Sequence, residues 1–317
     1  MRDSYDIVVV GAGVAGLTSA LTAVRLGRSV LVLAGAAPGG LLLSIERIEG
    51  LPGFPEGVAG YELCPGLQSE ADEGGAEIAN LELESIESSN GGWAIGTAEG
   101  AVGARAVILA TGARFRRLGV PGEERLQGHG VSTCASCDGA LMSGKTAAVV
   151  GGGDSALQEA LTLADSVDRV VILHRGDMLS GQASYRVRVA ECPTIEVRYS
   201  TIVEEILGEQ TVAALRVREL STDAVEELEV GGVFPYVGLR PSTERFAVVV
   251  DTDGAVLTDR ALRTSAAGVF AAGIVRSSAT GRAAAASGDG AAAAVAAHAY
   301  LADGFWPSTS PTAVESV

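Results

Sequence analysis

Two glycine-rich turns, one near the N-terminus and one at mid-chain, constrain this chain more than any other feature. The first, Gly11-Ala-Gly13-Val14-Ala15-Gly16, follows an apolar run, Asp6 to Val10, that reads as a strand. It opens a helix over Val14 to Leu26, and a second strand follows at Ser29 to Leu33. Gly11 permits the tight turn, Gly13 lets a pyrophosphate approach the backbone, and Gly16 lets helix and strand close on each other. The helix N-terminus then offers amides and a positive dipole end to phosphate. A glycine turn without a ligand is the alternative; the placement after a strand and before a helix favours a dinucleotide. The acid that holds a ribose hydroxyl in such folds is missing from the end of the second strand, where Ala34-Gly35 stands.

The second turn, Gly151-Gly-Gly153-Asp154-Ser155-Ala156, follows a strand at Thr146 to Val150 and leads into a helix to about Ala164 and a strand at Arg169 to Leu173. It suits a pyridine nucleotide. After that strand comes His174-Arg175-Gly176-Asp177, where Arg175 is placed to meet an adenosine 2′-phosphate. A fold retained after losing its nucleotide is the rival reading.

Two such openings predict an α/β protein of two Rossmann-like dinucleotide-binding domains, the second inserted into the first. The first spans residues 1–116 and 247–317, and the second residues 117–246. Glu77 to Ile95 alternates around Ser88-Ser-Asn-Gly-Gly92 as a hairpin. Ala106 to Ala110 reads as a short buried strand, Ile195 to Val233 alternates, and Val248 to Val250 and Gly268 to Ala272 are strand-like. Arg282 to Leu301, rich in Ala and Gly, reads as a helix, with Ala291 to Tyr300 in the core. Aromatics are only 4% of the chain, so aliphatic side chains must build the cores.

A net charge of −16 argues against nucleic acid and anionic membranes as partners, since both need a basic footprint. No apolar stretch is long enough to span a bilayer, and Met1 to Asp6 lacks the basic start of a secretory signal. A cytoplasmic location is expected.

Four cysteines are too few for a structural disulfide framework. Cys64 and Cys192 are isolated and read as packing residues. Cys134-Ala-Ser-Cys137 is the chemical centre: the two-residue spacer lets the sulfurs close a disulfide across one turn, and a helix N-terminus there favours a thiolate. Zinc would need further ligands, yet there is no second CxxC and the histidines lie apart at 129, 174 and 298, so no metal is expected. Asp138 is placed to exchange a proton with a leaving thiolate or to cap a helix. His129 either assists proton transfer or is solvated. The run Arg114-Phe-Arg116-Arg117 is either a docking patch or a solvated linker.

With these motifs in order, the chain resembles the low-molecular-weight thioredoxin reductases over nearly its whole length. The resemblance rests on Gly11 to Gly16, Pro38-Gly39-Gly40, Ala110-Thr111-Gly112, Cys134-Ala-Ser-Cys137-Asp138-Gly139, Gly151 to Ala156 and Gly268-Val-Phe-Ala-Ala-Gly273. It implies FAD in the first domain, contacted by Gly11 to Gly16, by Gly39, Gly40 and Leu41, by Ala110 to Gly112, and by Gly273, Ile274, Arg282 and Ala283. It implies NADPH or NADH in the second, at Gly151, Gly153, Asp154, Ser155, Ala156, His174 and Arg175. It further implies that Cys137 exchanges with the flavin, that Cys134 attacks the substrate disulfide, that Asp138 is the acid, that the two domains rotate and that the protein is a homodimer.

The chain departs from the family pattern at four places. Ile274 stands for an aspartate that bonds the FAD ribityl chain, Leu41 for a glutamine, and Gly281-Arg282 for an Arg-Gln pair beside the flavin. Of the family's His-Arg-Arg-x-x-x-Arg signature only His174 and Arg175 remain, with Gly176 and Ser180 at the other two arginine positions. Two charge-assisted contacts of about 1.5–3 kcal/mol each are thereby lost, which is expected to weaken a 2′-phosphate about a hundredfold or more. Arg186 or Arg188 would substitute only with a rearranged loop. The expected activity is dithiol–disulfide interconversion through FAD and Cys134–Cys137, on a thioredoxin-like protein or a small disulfide or dithiol. A ferredoxin-type donor, oxidation of a small dithiol by O2, and a non-enzymatic redox-sensing flavoprotein are the alternatives.

Overall fold

The computed structural model describes residues 1–36 and 38–307. The chain divides into two compact units, one of Met1–Arg114 with Arg240–Val317, the other of Phe115–Leu239.

The first unit opens with β1 (Ser4–Val10), α1 (Val14–Arg25) and β2 (Val30–Leu33), then α2 (Gly60–Glu73) and β3 (Glu77–Ala79). A hairpin follows, β4 (Ser85–Ser89) and β5 (Gly92–Thr97), and then β6 (Gly100–Leu109) and β7 (Ala113–Phe115). The unit's sheet runs β3-β2-β1-β6-β5-β4. Ser89 pairs with Gly92, so Asn90-Gly91 is the two-residue turn of the hairpin.

β6 is longer than the Ala106–Ala110 strand read from the sequence. Its first half, Gly100–Ala104, pairs antiparallel with β5, which small residues disguise. Along most of its length it runs parallel to β1.

In the second unit α3 (Ala135–Asp138) precedes β8 (Thr146–Val150), α4 (Asp154–Ala164), β9 (Arg169–Leu173), α5 (Ala183–Glu191) and β10 (Ile195–Arg198). The alternating stretch beyond becomes β11 (Thr201–Leu207), β12 (Ala214–Glu219) and β13 (Val225–Glu229), an antiparallel sheet, and then β14 (Gly232–Pro235). The parallel sheet runs β10-β9-β8-β14. Its strands are apolar throughout because they are buried on both faces: Ala147, Val149, Val170 and Ile172 pack in one cluster, Ala148, Val150, Val171 and Leu173 in another.

β15 (Leu239–Pro241) pairs with β7 as a ribbon in which the chain passes between the units. Beyond it, β16 (Val269–Ala271) joins β6 in parallel, and α6 (Ala283–Asp303) packs on α1. Val248 to Val250 is not a strand. Val249 and Val250 are exposed, and only Val250 makes an isolated bridge, to Val256. Among the described residues no helix is long and apolar enough to cross a membrane.

Candidate active site

In the first unit the glycine turn behaves as a cradle. Gly11 has φ +106°, and a Cβ there would lie 2.4 Å from the Ala110 carbonyl oxygen. A Cβ on Gly16 would lie 1.9 Å from the Gly11 oxygen, so helix and turn touch through bare backbone. Gly13 differs from both: a Cβ there meets nothing within 4 Å. The space over Gly13 is open beside the amides of Val14, Ala15 and Gly16 at the start of α1, an arrangement suited to phosphate.

Gly39, Gly40, Ala110 and Gly273 lie against this turn, and the other first-unit residues follow on from them. Gly39 N–H donates to the Ala12 carbonyl at 2.8 Å, and the Cβ position of Gly40 is 3.9 Å from Gly13 Cα. Leu41 follows in a short 3-10 turn, Gly40–Ser44. Ala110 N–H donates to Val10, Thr111 Oγ1 donates to the Ser242 carbonyl at 2.7 Å, and Gly112 accepts from Ser242 N–H. Gly273, at φ +77°, approaches Ala15 so closely that a Cβ would lie 2.8 Å from that side chain. Ile274 packs between Gly112 and Gly281, its methyl carbons 3.9 and 3.6 Å from their Cβ positions. Arg282 caps α6 and Ala283 begins it.

A cleft of about 600 Å³ continues from the turn past Ala34 and Gly35. Its walls include Leu81, Glu82, Leu83, Arg245 and Phe246, none of them marked by a sequence motif. Arg245 donates to the Leu83 carbonyl, which ties two of these walls together. An open phosphate cradle joined to a cleft of ligand size fits the pyrophosphate and adenosine of FAD.

The second unit holds the sulfur chemistry. Cys134 and Cys137 are joined as a disulfide. Cys134 is the N-cap of α3, and its Sγ accepts the Cys137 N–H at 3.2 Å. Cys134 is half-buried, Cys137 exposed and Asp138 half-buried. Ser132 Oγ accepts the Cys134 N–H at 3.1 Å and fixes the approach to the pair.

The second glycine turn lies in the same unit. Gly151 is pressed on the Tyr236 carbonyl, 2.4 Å from its Cβ position, and Ala156 is wholly buried. A strap, residues 178–182, crosses this turn: Ser180 N–H, Gly181 N–H and Ser180 Oγ all donate to the Gly152 carbonyl. Gln182 N–H donates to Asp154 Oδ1 at 2.7 Å. The His174 ring covers Gly152, with Nε2 3.0 Å from the Met178 carbonyl oxygen. Arg175 is exposed at the end of β9, Gly176 carries no side chain, and the Ser180 hydroxyl is already engaged. Ser155 lies in the first turn of α4.

The pyridine nucleotide-disulphide oxidoreductase family matches residues 5–290. A thioredoxin reductase of Treponema pallidum is 38% identical over 302 residues, covering 95% of this chain and 98% of that protein. A bifunctional thioredoxin reductase/thioredoxin of Mycobacterium leprae is 39% identical over 94% of this chain and 66% of its own length. The crystal structure of T. acidophilum thioredoxin reductase superposes with a TM-score of 0.90 at 34% identity, covering 94% of this chain and 99% of that one. The chain belongs to the pyridine nucleotide-disulphide oxidoreductases and, within them, to the low-molecular-weight thioredoxin reductases, FAD-dependent disulfide oxidoreductases.

Proposed function

We propose that this flavoenzyme reduces the disulfide of a thioredoxin-like protein, drawing its electrons from a pyridine nucleotide. The observation that carries the reading is the Cys134–Cys137 disulfide capping α3 in the unit that also bears the second glycine turn. Bound FAD supplies a two-electron relay between nucleotide and sulfur, held by the Gly11–Gly16 cradle and its neighbours.

On the protein side, Cys134 as thiolate attacks the substrate disulfide and forms a mixed disulfide, and one substrate sulfur leaves and takes a proton. Cys137 then attacks Cys134 Sγ, which restores the internal disulfide and releases the second substrate sulfur. Asp138, next to Cys137, is the group placed to carry the proton. The reading carries with it a cytoplasmic homodimer.

One observation favours a second reading of the donor. A 2′-phosphate at the end of β9 would meet the Arg175 guanidinium with no arginine at 176 or 180 to complete a clamp. NADH, or a donor that is not a nucleotide, such as a ferredoxin-type protein or a small dithiol, then replaces NADPH. Anaerobic mixing of the holoprotein with NADPH or NADH in turn decides between them. Flavin bleaching at micromolar NADPH sinks the second reading, and bleaching only by the other donors sinks NADPH.

A further inference from the structure

Beneath α3 the apolar packing of the second unit is interrupted by one carboxylate. Glu159 on α4 is 6% exposed, flanked on its helix by the fully buried Leu157, Ala160 and Leu163. Its Oε2 accepts the Ala135 N–H at 3.2 Å. Ala135 follows Cys134 directly, so this buried acid grips the peptide between the two cysteines. Beside it lies the buried Tyr236 hydroxyl. Burial first, then the Glu159 carboxylate, push the Tyr236 phenol above its ordinary pKa. Holding a carboxylate in such a place is costly.

We propose that Glu159 is a positioning residue for the redox pair: its carboxylate holds the Cys134–Cys137 turn through the Ala135 amide and disfavours the thiolate form of the reduced sulfurs. Reduction adds two electrons and breaks the S–S bond, after which each sulfur binds a proton or bears a negative charge. A fixed negative charge in a low-dielectric floor disfavours a further one nearby. The sulfurs therefore hold their protons more tightly, and a dithiol less stabilised as thiolate gives up its electrons more readily.

Other charged and titratable groups on the elements around α4 are Asp138 on α3, Tyr236 after β14, Tyr185 and Arg186 on the inner side of α5, and Arg188 and Glu191 on its exposed side. Arg169, Glu196 and Arg198 on β9 and β10 pair with one another. Asp138 adds negative charge of its own, so removing Glu159 reduces the effect without abolishing it.

The test uses the full chain with its flavin, reduced by a phosphine. Iodoacetamide modification of Cys134 and Cys137 is followed against pH by peptide mass spectrometry. Glu159→Gln keeps an acceptor for the Ala135 amide and removes the charge. It is expected to move the modification profile about one pH unit towards acid, a tenfold gain in thiolate below the thiol pKa, and to raise the pair's potential by about 30 mV at pH values above that pKa. A folded Glu159→Gln with the wild-type profile and potential overturns the proposal. Tyr236→Phe removes the hydroxyl whose dipole favours the charge on Glu159, so it is expected to give a smaller shift in the same direction. Should Glu159→Gln not fold, an unmoved profile in Tyr236→Phe overturns it equally. The proposal rests on Cys134–Cys137 as the working pair. If neither cysteine becomes modifiable after reduction, that reading fails; modification with an unmoved profile removes only the role of Glu159.

Discussion

At the scale of single residues, the first glycine turn assigns different work to glycines that look alike in the sequence. Gly13 has room for a Cβ, and its φ of −77° suits any residue. Gly13→Ala is therefore expected to leave the apoprotein's unfolding midpoint unchanged while FAD affinity, followed by flavin fluorescence, falls about tenfold or more, roughly 1.4 kcal/mol. Gly16→Ala is expected to do the opposite first. Its Cβ would collide with backbone, so the apoprotein itself loses about 1–3 kcal/mol in urea unfolding. Equal stability losses in the two variants would contradict this division. These glycines and the CxxC are legible in the sequence because spacing alone defines them. Glu159 is not, because its partners lie 24 residues upstream, at Ala135, and far downstream, at Tyr236, and only folding brings them together.

At the scale of elements, close approach replaces large side chains. α6 is mostly Ala and Gly, and it meets α1 where a Cβ on Gly290 would lie 2.2 Å from the Ala15 carbonyl oxygen. Ser19 Oγ donates to the Gly290 carbonyl at the same crossing. Gly290→Val is expected to cost about 2 kcal/mol or more by forcing the helices apart, measured by chemical denaturation.

β1 is tied to its neighbours by Asp6, which is bonded to Ser29 beside β2 and to Arg105 on β6. Partial burial raises the Asp6 pKa, but the bonds from Ser29 and Arg105 outweigh it and hold the carboxyl below its ordinary value. A group with a depressed folded pKa stabilises above its unfolded pKa, and the contribution is lost as pH falls through the folded one. Asp6→Asn is therefore expected to be less stable than wild type at neutral pH, with the difference closing below about pH 4. A gap that stays constant into acid would contradict it. The strand read at Val248 to Val250 failed for an instructive reason: three apolar residues in a row also suit an exposed loop, and periodicity says nothing about whether a neighbouring strand has edge amides to offer.

At the scale of the whole molecule, each unit has its own glycine turn and its own pair of hydrophobic clusters. Unfolding is therefore expected in two steps, with added FAD raising the first unit's transition and a bound nucleotide raising the second's, each by mass action. The order of motifs made this α/β plan readable. The lining of the cleft beside the first glycine turn was not, since Leu81 to Leu83 and Arg245 come together from loops with no motif.

The central claim is that the Cys134–Cys137 pair exchanges electrons with the bound flavin, and anaerobic addition of a dithiol to the holoprotein tests it most directly. The flavin's visible absorbance is expected to bleach in the wild type and to persist in Cys134→Ser/Cys137→Ser. A wild-type flavin that stays oxidised, or a double variant that bleaches equally well, would contradict it.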